Sequence, residues 1–139
     1  MLINIPLTIA PLIVYNIIAF GLFGDMPGDS WSIPIFTMQM VSGARWTMVM
    51  GDLMIVAGLV LLFIEILKAT RTSSGSIADH VLSTVVFIIY LVEFLTVREA
   101  ASSVFFILLT IALVDVVAGF AVTIRGARRD FAMGPGDHL

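Results

Sequence analysis

The chain has 139 residues, of which 60% are hydrophobic and 12% charged, and its formal net charge is −3. Soluble domains carry about 25% charged and about 45–50% apolar residues, so this composition argues against a soluble domain and for a membrane protein. The small, dispersed net charge gives no indication of a nucleic-acid partner. Because the chain has no cysteine, disulfides and thiolate chemistry are excluded.

Four apolar stretches follow one another along the chain, each close to the roughly 20 residues that a helix needs to cross hydrocarbon. Each is apolar all the way round, as in helices immersed in lipid and unlike amphipathic surface helices. The pattern predicts an all-α polytopic protein, an antiparallel four-transmembrane-helix bundle that forms one domain over residues 1–139. The predicted helices are residues 5–23, 47–67, 81–97 and 101–124, with a short tail at 125–139.

The first predicted helix contains Pro11, which removes a backbone donor and is expected to kink the helix near residues 7–11. The connection that follows, residues 24–46, begins with turn residues and then becomes apolar. We expect it to pack against the bundle at the headgroup level, with Trp31 and Trp46 at the membrane interface. A short helix, a hairpin and a re-entrant segment are all compatible with this composition.

The next connection, residues 69–79, is polar and predicts a short solvated loop, and Asp79 could cap the third helix. With four crossings, this loop shares a side of the membrane with both chain ends, whereas Arg45 and Arg98 lie on the other side. The positive-inside rule then predicts cytoplasmic N- and C-termini. The basic residues on the predicted cytoplasmic side are Lys68, Arg71, Arg125, Arg128 and Arg129.

Three segments carry a family resemblance: residues 62–71, 79–84 and 115–129. Through them the chain resembles an uncharacterised family of small four-helix inner-membrane proteins of alphaproteobacteria, over nearly its whole length. The resemblance implies four helices and a bacterial inner (plasma) membrane. It implies no activity, cofactor or site residue.

Acidic residues inside the predicted spans are the main candidates for function, because a charged side chain at the bilayer centre costs about 2.5–3.5 kcal/mol. By the rise of a helix, Asp52 and Glu93 lie in the outer third of the membrane, and Asn16 lies at a similar depth. Together with Arg45 and Arg98 they form a predicted polar cluster facing the periplasm.

Asp115 is predicted close to the midplane of the fourth helix, where burial favours its neutral form. Small residues lie on the same helix face, so Asp115 is expected to point into a protein contact. Glu65 lies near the cytoplasmic end of the second helix, and its expected role is an interfacial pair with Lys68 at i+3. The small residues on the Asp115 face are Ala112, Ala118, Gly119 and Gly126.

Two hypotheses follow from the acidic residues. In the first, buried acids hold helices together or dock a partner. In the second, Asp115, Asp52 and Glu93 form a pathway for protons or small cations. The two histidines are too far apart in the chain to suggest a haem or metal site: His80 is expected at the membrane interface and His138 in the tail.

Methionines are concentrated in one part of the chain, with spacings at which thioethers could jointly bind Cu(I). The simpler interpretation is that they fill irregular gaps in the packing. The Cu(I) candidates are Met38, Met40, Met48, Met50 and Met54.

No motif for a hydrolase, a transferase or a phosphate-binding enzyme is present in the sequence. The sequence therefore predicts a non-enzymatic small integral membrane protein without a cofactor, an oligomeric or accessory subunit of a membrane complex. A proton or small-cation conduit is the alternative, and a Cu(I)-binding membrane protein is the third possibility. Its expected partners are the lipid bilayer and either further copies of itself or a larger membrane-protein complex.

Overall fold

The computed structural model describes residues 5–21, 29–71 and 76–132, and it is mostly helical, at 75%. Four helices and one two-stranded sheet make up the described chain. In order they are α1 (Ile9–Ala19), β1 (Pro34–Gln39), β2 (Arg45–Val49), α2 (Met50–Ala69), α3 (Ser76–Thr96) and α4 (Ser103–Ala132). Single 3₁₀ turns precede β1 at Ser30–Ser32 and α4 at Arg98–Ala100.

Three of the helices, α2, α3 and α4, are long and apolar enough to cross a membrane. The prediction of a fourth helix of that length, over residues 5–23, is wrong for the described residues, because α1 has only 11 residues. At 1.5 Å per residue it is about 16 Å long, roughly half the hydrocarbon thickness. Residues 22–23, where the first helix was predicted to end, lie outside the described part of the chain.

Proline accounts for the late start of α1. The helix begins at Ile9, so that Pro11 is its third residue and lies in the first turn. A first-turn residue has no intrahelical acceptor for its N–H, and proline is therefore tolerated there. A kink was expected near residues 7–11. In the structure the helix begins there, at Ile9, and residues 5–8 are not helical.

The other helix boundaries also differ from the prediction. The third helix begins at Ser76 and not at residue 81, so Asp79 lies in its first turn instead of capping it. The fourth helix continues to Ala132, and the basic residues predicted in a tail therefore lie on its last turns.

The central helix is α4, and α2 packs along it in the same direction. Two glycines let these helices approach closely. A Cβ atom at Gly51 would lie 2.8 Å from Cγ2 of Val104, and one at Gly58 would lie 3.0 Å from Cδ2 of Leu108. The residue numbers of the contacting pairs, 51 with 104 and 58 with 108, increase in the same direction along both helices, so α2 and α4 are parallel. Small residues at a helix contact are typical of membrane proteins.

On the other side of α4, α3 packs in the opposite direction. Phe94, near the end of α3, lies parallel to Phe105 near the start of α4, with ring centroids 6.3 Å apart. At the other end His80 packs directly on Gly119. The helices α2 and α3 each contact α4 far more than one another, and α1 lies against α2 and α4. The bundle has two ends: a ribbon end, where α2 and α4 begin, and a tail end, where they finish.

The connection before α2 is a β-hairpin, which we call the ribbon (residues 34–49). Its strands pair antiparallel, and the tight turn contains Gly43 at φ +87°, a conformation that favours glycine. Phe36 and Met38 on β1 lie opposite Met48 and Trp46 on β2, which gives the ribbon one apolar face. The other face is polar and includes the pairs Thr37–Thr47 and Gln39–Arg45.

The ribbon is packed less closely on the bundle than the sequence predicted, since every residue of β1 is exposed. The two tryptophans differ as well. Trp31 is 7% exposed and stacks on Tyr15 with ring centroids 4.4 Å apart, so it belongs to the core. Trp46 is 41% exposed and contacts Phe36 edge to face on the ribbon. The connection therefore packs against the bundle through Trp31, while strand β1 remains exposed.

Candidate functional site

The segment before α1, residues 5–8, is held at the tail end by side chains of the other three helices. From α2, the Glu65 carboxylate accepts a hydrogen bond from the Leu7 backbone N–H at 3.1 Å. The Lys68 ammonium donates to the Ile5 carbonyl at 3.2 Å and forms an ion pair with Glu65, also at 3.2 Å. The i+3 pair expected from the sequence is thus present, and Glu65 is buried within the protein.

Two further contacts hold Thr8, which is itself buried. Its hydroxyl donates to Oδ2 of Asp115 on α4 at 3.3 Å, and its carbonyl accepts from the Tyr90 hydroxyl on α3 at 2.8 Å. We call the four side chains that hold residues 5–8 the clasp: Glu65, Lys68, Tyr90 and Asp115.

The clasp has a clear physical cause. In a membrane, backbone groups without a helical partner must find another one, because each unsatisfied group costs several kcal/mol in hydrocarbon. The non-helical segment of residues 5–8 has such groups, and Pro11, which has no N–H for the Leu7 carbonyl, disfavours a helix that begins earlier. Glu65, Lys68 and Tyr90 each bond to one of those backbone groups.

Other polar side chains lie next to the clasp. The buried Ser83 hydroxyl and the Asp79 carboxyl are close to the Asp115 carboxyl, as is the Glu65 carboxyl of the clasp itself. His80, one turn before Ser83 on α3, shares a hydrogen bond with the Thr123 hydroxyl of α4. Within the described residues, one Asp79 oxygen is buried and accepts no hydrogen bond.

The sequence contained one signal for the position of His80. Gly119 belongs to the small-residue face of Asp115, and a Cβ atom there would overlap the His80 ring. The glycine thus makes room for the histidine of the neighbouring helix. By contrast, Gly126, further along the same face, has no atom within 4 Å of the corresponding position.

At the ribbon end, Asn16 of α1 and Glu93 of α3 lie together beside an open groove. The groove has a volume of about 400 Å³. The Asn16 amide donates to the Leu12 carbonyl at 2.9 Å, within the same helix. The groove is lined by Asn16, Phe20, Ile88, Ile89, Val92, Glu93, Thr96 and Val97.

The remaining members of the predicted polar cluster lie elsewhere. The Asp52 carboxylate accepts a hydrogen bond from the Val49 N–H at 3.1 Å and so caps the start of α2. Arg45 lies on the ribbon and Arg98 in the turn before α4. Asn16 and Glu93 are therefore the members of the cluster that lie side by side, and Asp115, the deep candidate, belongs to the clasp at the tail end.

The candidate methionines are divided between the ribbon and the bundle. Met54 is buried in the core and Met50 packs against it, whereas Met38 and Met40 are exposed. Among the residues that the structure describes, no three histidine, aspartate or glutamate side chains are close enough to hold a metal ion.

No protein-family model, no curated protein and no solved structure matches the chain. The geometry of the clasp, the groove and the ribbon is therefore the basis for a functional proposal.

Proposed function

We propose that the chain is a non-enzymatic accessory subunit of a membrane-protein complex. It crosses the bacterial inner membrane four times, with α1 and residues 5–8 together making the first crossing. Contacts of this segment with both ends of the bundle support that topology. Leu7 bonds to Glu65 at the tail end, and the Tyr15 hydroxyl donates to the Glu99 carbonyl at the ribbon end, at 2.9 Å.

The proposed orientation puts the tail end in the cytoplasm. Lys68 and Arg71 lie at the end of α2, and the basic residues of α4 lie on its last turns. The ribbon end has only Arg45 and Arg98 among the basic residues of the sequence. This asymmetry agrees with an excess of Lys and Arg on the cytoplasmic side.

The observation that carries the accessory role is the unpartnered apolar face of the ribbon. Phe36, Met38 and Trp46 are all exposed on it. The ribbon continues directly into α2, so it emerges at the membrane surface. Among the residues that the structure describes, no third strand pairs with the ribbon, and edge backbone groups without a partner cannot be satisfied in hydrocarbon. Because an isolated two-stranded hairpin is at best marginally stable in water, a protein partner against the apolar face would stabilise it.

Site-specific photocrosslinking tests this role. A photoreactive residue at Met38, on the apolar face, should join the chain to one protein of defined mass in the native membrane. The same residue at Thr37, on the polar face, is the matched control and should give little product. Trp46→Ser should release the chain from the native complex on a non-denaturing gel. Equal products from both faces, or a complex unchanged by Trp46→Ser, would contradict docking through the ribbon.

The conduit remains a second candidate because polar groups continue from the clasp toward the groove. Asp115 bonds to Thr8, Thr8 bonds to Tyr90, and Glu93 follows Tyr90 by one turn of α3. Purified protein in liposomes should then carry protons down a gradient, and Asp115→Asn, which cannot carry a proton, should abolish the flux. Wild-type liposomes as tight as empty ones would remove this candidate.

A further inference from the structure

The groove at the ribbon end has the size and lining of a binding site for a small molecule. Its volume of about 400 Å³ falls within the roughly 300–1,000 Å³ of ligand pockets. One wall is the last part of α3, with Ile88, Ile89 and Val92, and the other is the end of α1 with Phe20. Such sites combine an apolar lining with a few polar groups that orient the ligand.

Glu93 is the one charged residue of that lining. It is partly buried and lies three residues before the end of α3, so its depth below the helix end is about 4.5 Å. The Asn16 amide is its polar neighbour. In the part of the chain that the structure describes, Glu65 and Lys68 form the only ion pair, and Glu93 thus has no basic side chain within pairing distance.

We propose that this groove binds an amphiphilic organic cation, with its charged centre between Glu93 and Phe20 and its apolar body along Ile88, Ile89 and Val92. A carboxylate in an apolar groove is stabilised by an opposite charge, and the chain itself does not supply one there. An aromatic ring attracts the same charge through its π face. Charge complementarity and an apolar wall therefore select a cation that also has a substantial apolar surface.

Tetraphenylphosphonium is a suitable probe, because tetraphenylborate has nearly the same size and the opposite charge. Equilibrium dialysis against the purified full chain in a neutral detergent should show saturable binding of the phosphonium at one site per chain. The borate should bind at least about tenfold more weakly, since like charge opposes its entry beside Glu93. Equal binding of the two ions would overturn the proposal and leave an apolar groove without charge selection.

Two variants test the location of the site. Glu93→Gln should weaken phosphonium binding about tenfold or more, whereas Glu99→Gln, which removes an exposed charge at the same end, should leave it unchanged. Ile89→Trp should also weaken binding, because the larger side chain fills the groove without changing its charge. Unchanged affinity in both Glu93→Gln and Ile89→Trp, or no saturable binding to the wild-type chain, would show that the groove is not the site.

Discussion

At the tail end, Glu65 and Asp115 are 2% and 6% exposed, and each accepts a hydrogen bond from the segment before α1. At the ribbon end, Glu93 is only partly buried and faces an open groove. The same kind of side chain therefore has two different environments in one bundle. In the first, the acids satisfy the backbone and side chain of another segment, and in the second the acid is directed toward space that a ligand could occupy.

This difference separates structural acids from candidate functional ones. A buried acid inside a membrane is by default a functional candidate, because it is expensive to keep there. The clasp shows a different reason for such acids, since a non-helical segment needs polar partners in hydrocarbon. The number of intrachain hydrogen bonds that an acid makes is thus more informative here than its depth.

The largest expected effect on the free energy of unfolding distinguishes Trp31 from Trp46, the two tryptophans between α1 and α2. Trp31→Ala removes a buried ring that stacks on Tyr15 and should lower the free energy of unfolding by about 3–5 kcal/mol. Trp46→Ala, the matched control on the ribbon, should lower it by less than about 1 kcal/mol, because that ring is exposed. Titration with a denaturing detergent in mixed micelles measures both. Similar losses for the two variants would show that the ribbon is packed as tightly as the core.

The next effect tests the clasp through its buried pair. Glu65→Leu leaves the Leu7 N–H without its acceptor and should cost about 2–3 kcal/mol of unfolding free energy. Lys68→Met removes the ion pair and the bond to the Ile5 carbonyl, and it leaves the buried Glu65 carboxylate without its cation, so it should cost about 3 kcal/mol. The same detergent titration compares them. A loss below about 1 kcal/mol in both variants would contradict a stabilising role of this part of the clasp.

A smaller effect is expected at the Tyr90 hydroxyl. Tyr90→Phe keeps the buried ring and removes only the hydrogen bond to the Thr8 carbonyl, so it should cost about 1 kcal/mol. Hydrogen exchange of the residues near the beginning of α1 should become faster, while exchange in α2 and α4 stays the same. Unchanged exchange at α1 would mean that Tyr90 does not hold the segment.

Much of the architecture could be predicted from hydropathy. The helices α2, α3 and α4 lie where long apolar stretches indicated them, and their boundaries differ from the predicted ones by one to eight residues. Hydropathy failed for α1 because residues 5–8 are mostly apolar, yet Pro11, which has no N–H for the Leu7 carbonyl, disfavours a helix that begins there. For the ribbon, the sequence left a short helix, a hairpin and a re-entrant segment open, because the alternation of Phe36 with Met38 and of Trp46 with Met48 is too short to decide between them.

The candidate site could be predicted less well, because its contacts join residues that are far apart in the chain. The pairing of Thr8 with Asp115 spans 107 residues, and that of Leu7 with Glu65 spans 58. Depth along a helix placed Asn16 and Glu93 at similar levels, and they do lie together. The same argument put Asp52 beside them, but helix depth does not say which way a side chain points, and Asp52 bonds to its own helix start.

The most direct test of the difference between the two ends replaces one acid at each by leucine. Asp115→Leu leaves the buried Thr8 hydroxyl without its acceptor and should lower the free energy of unfolding by about 2 kcal/mol. Glu93→Leu removes a charge from an apolar groove and should lower the free energy of unfolding by less than about 0.5 kcal/mol, or raise it. Detergent titration of the two variants beside the wild-type chain gives both values in one experiment. Equal losses, or a larger loss for Glu93→Leu, would contradict the assignment of Asp115 to structure and of Glu93 to binding.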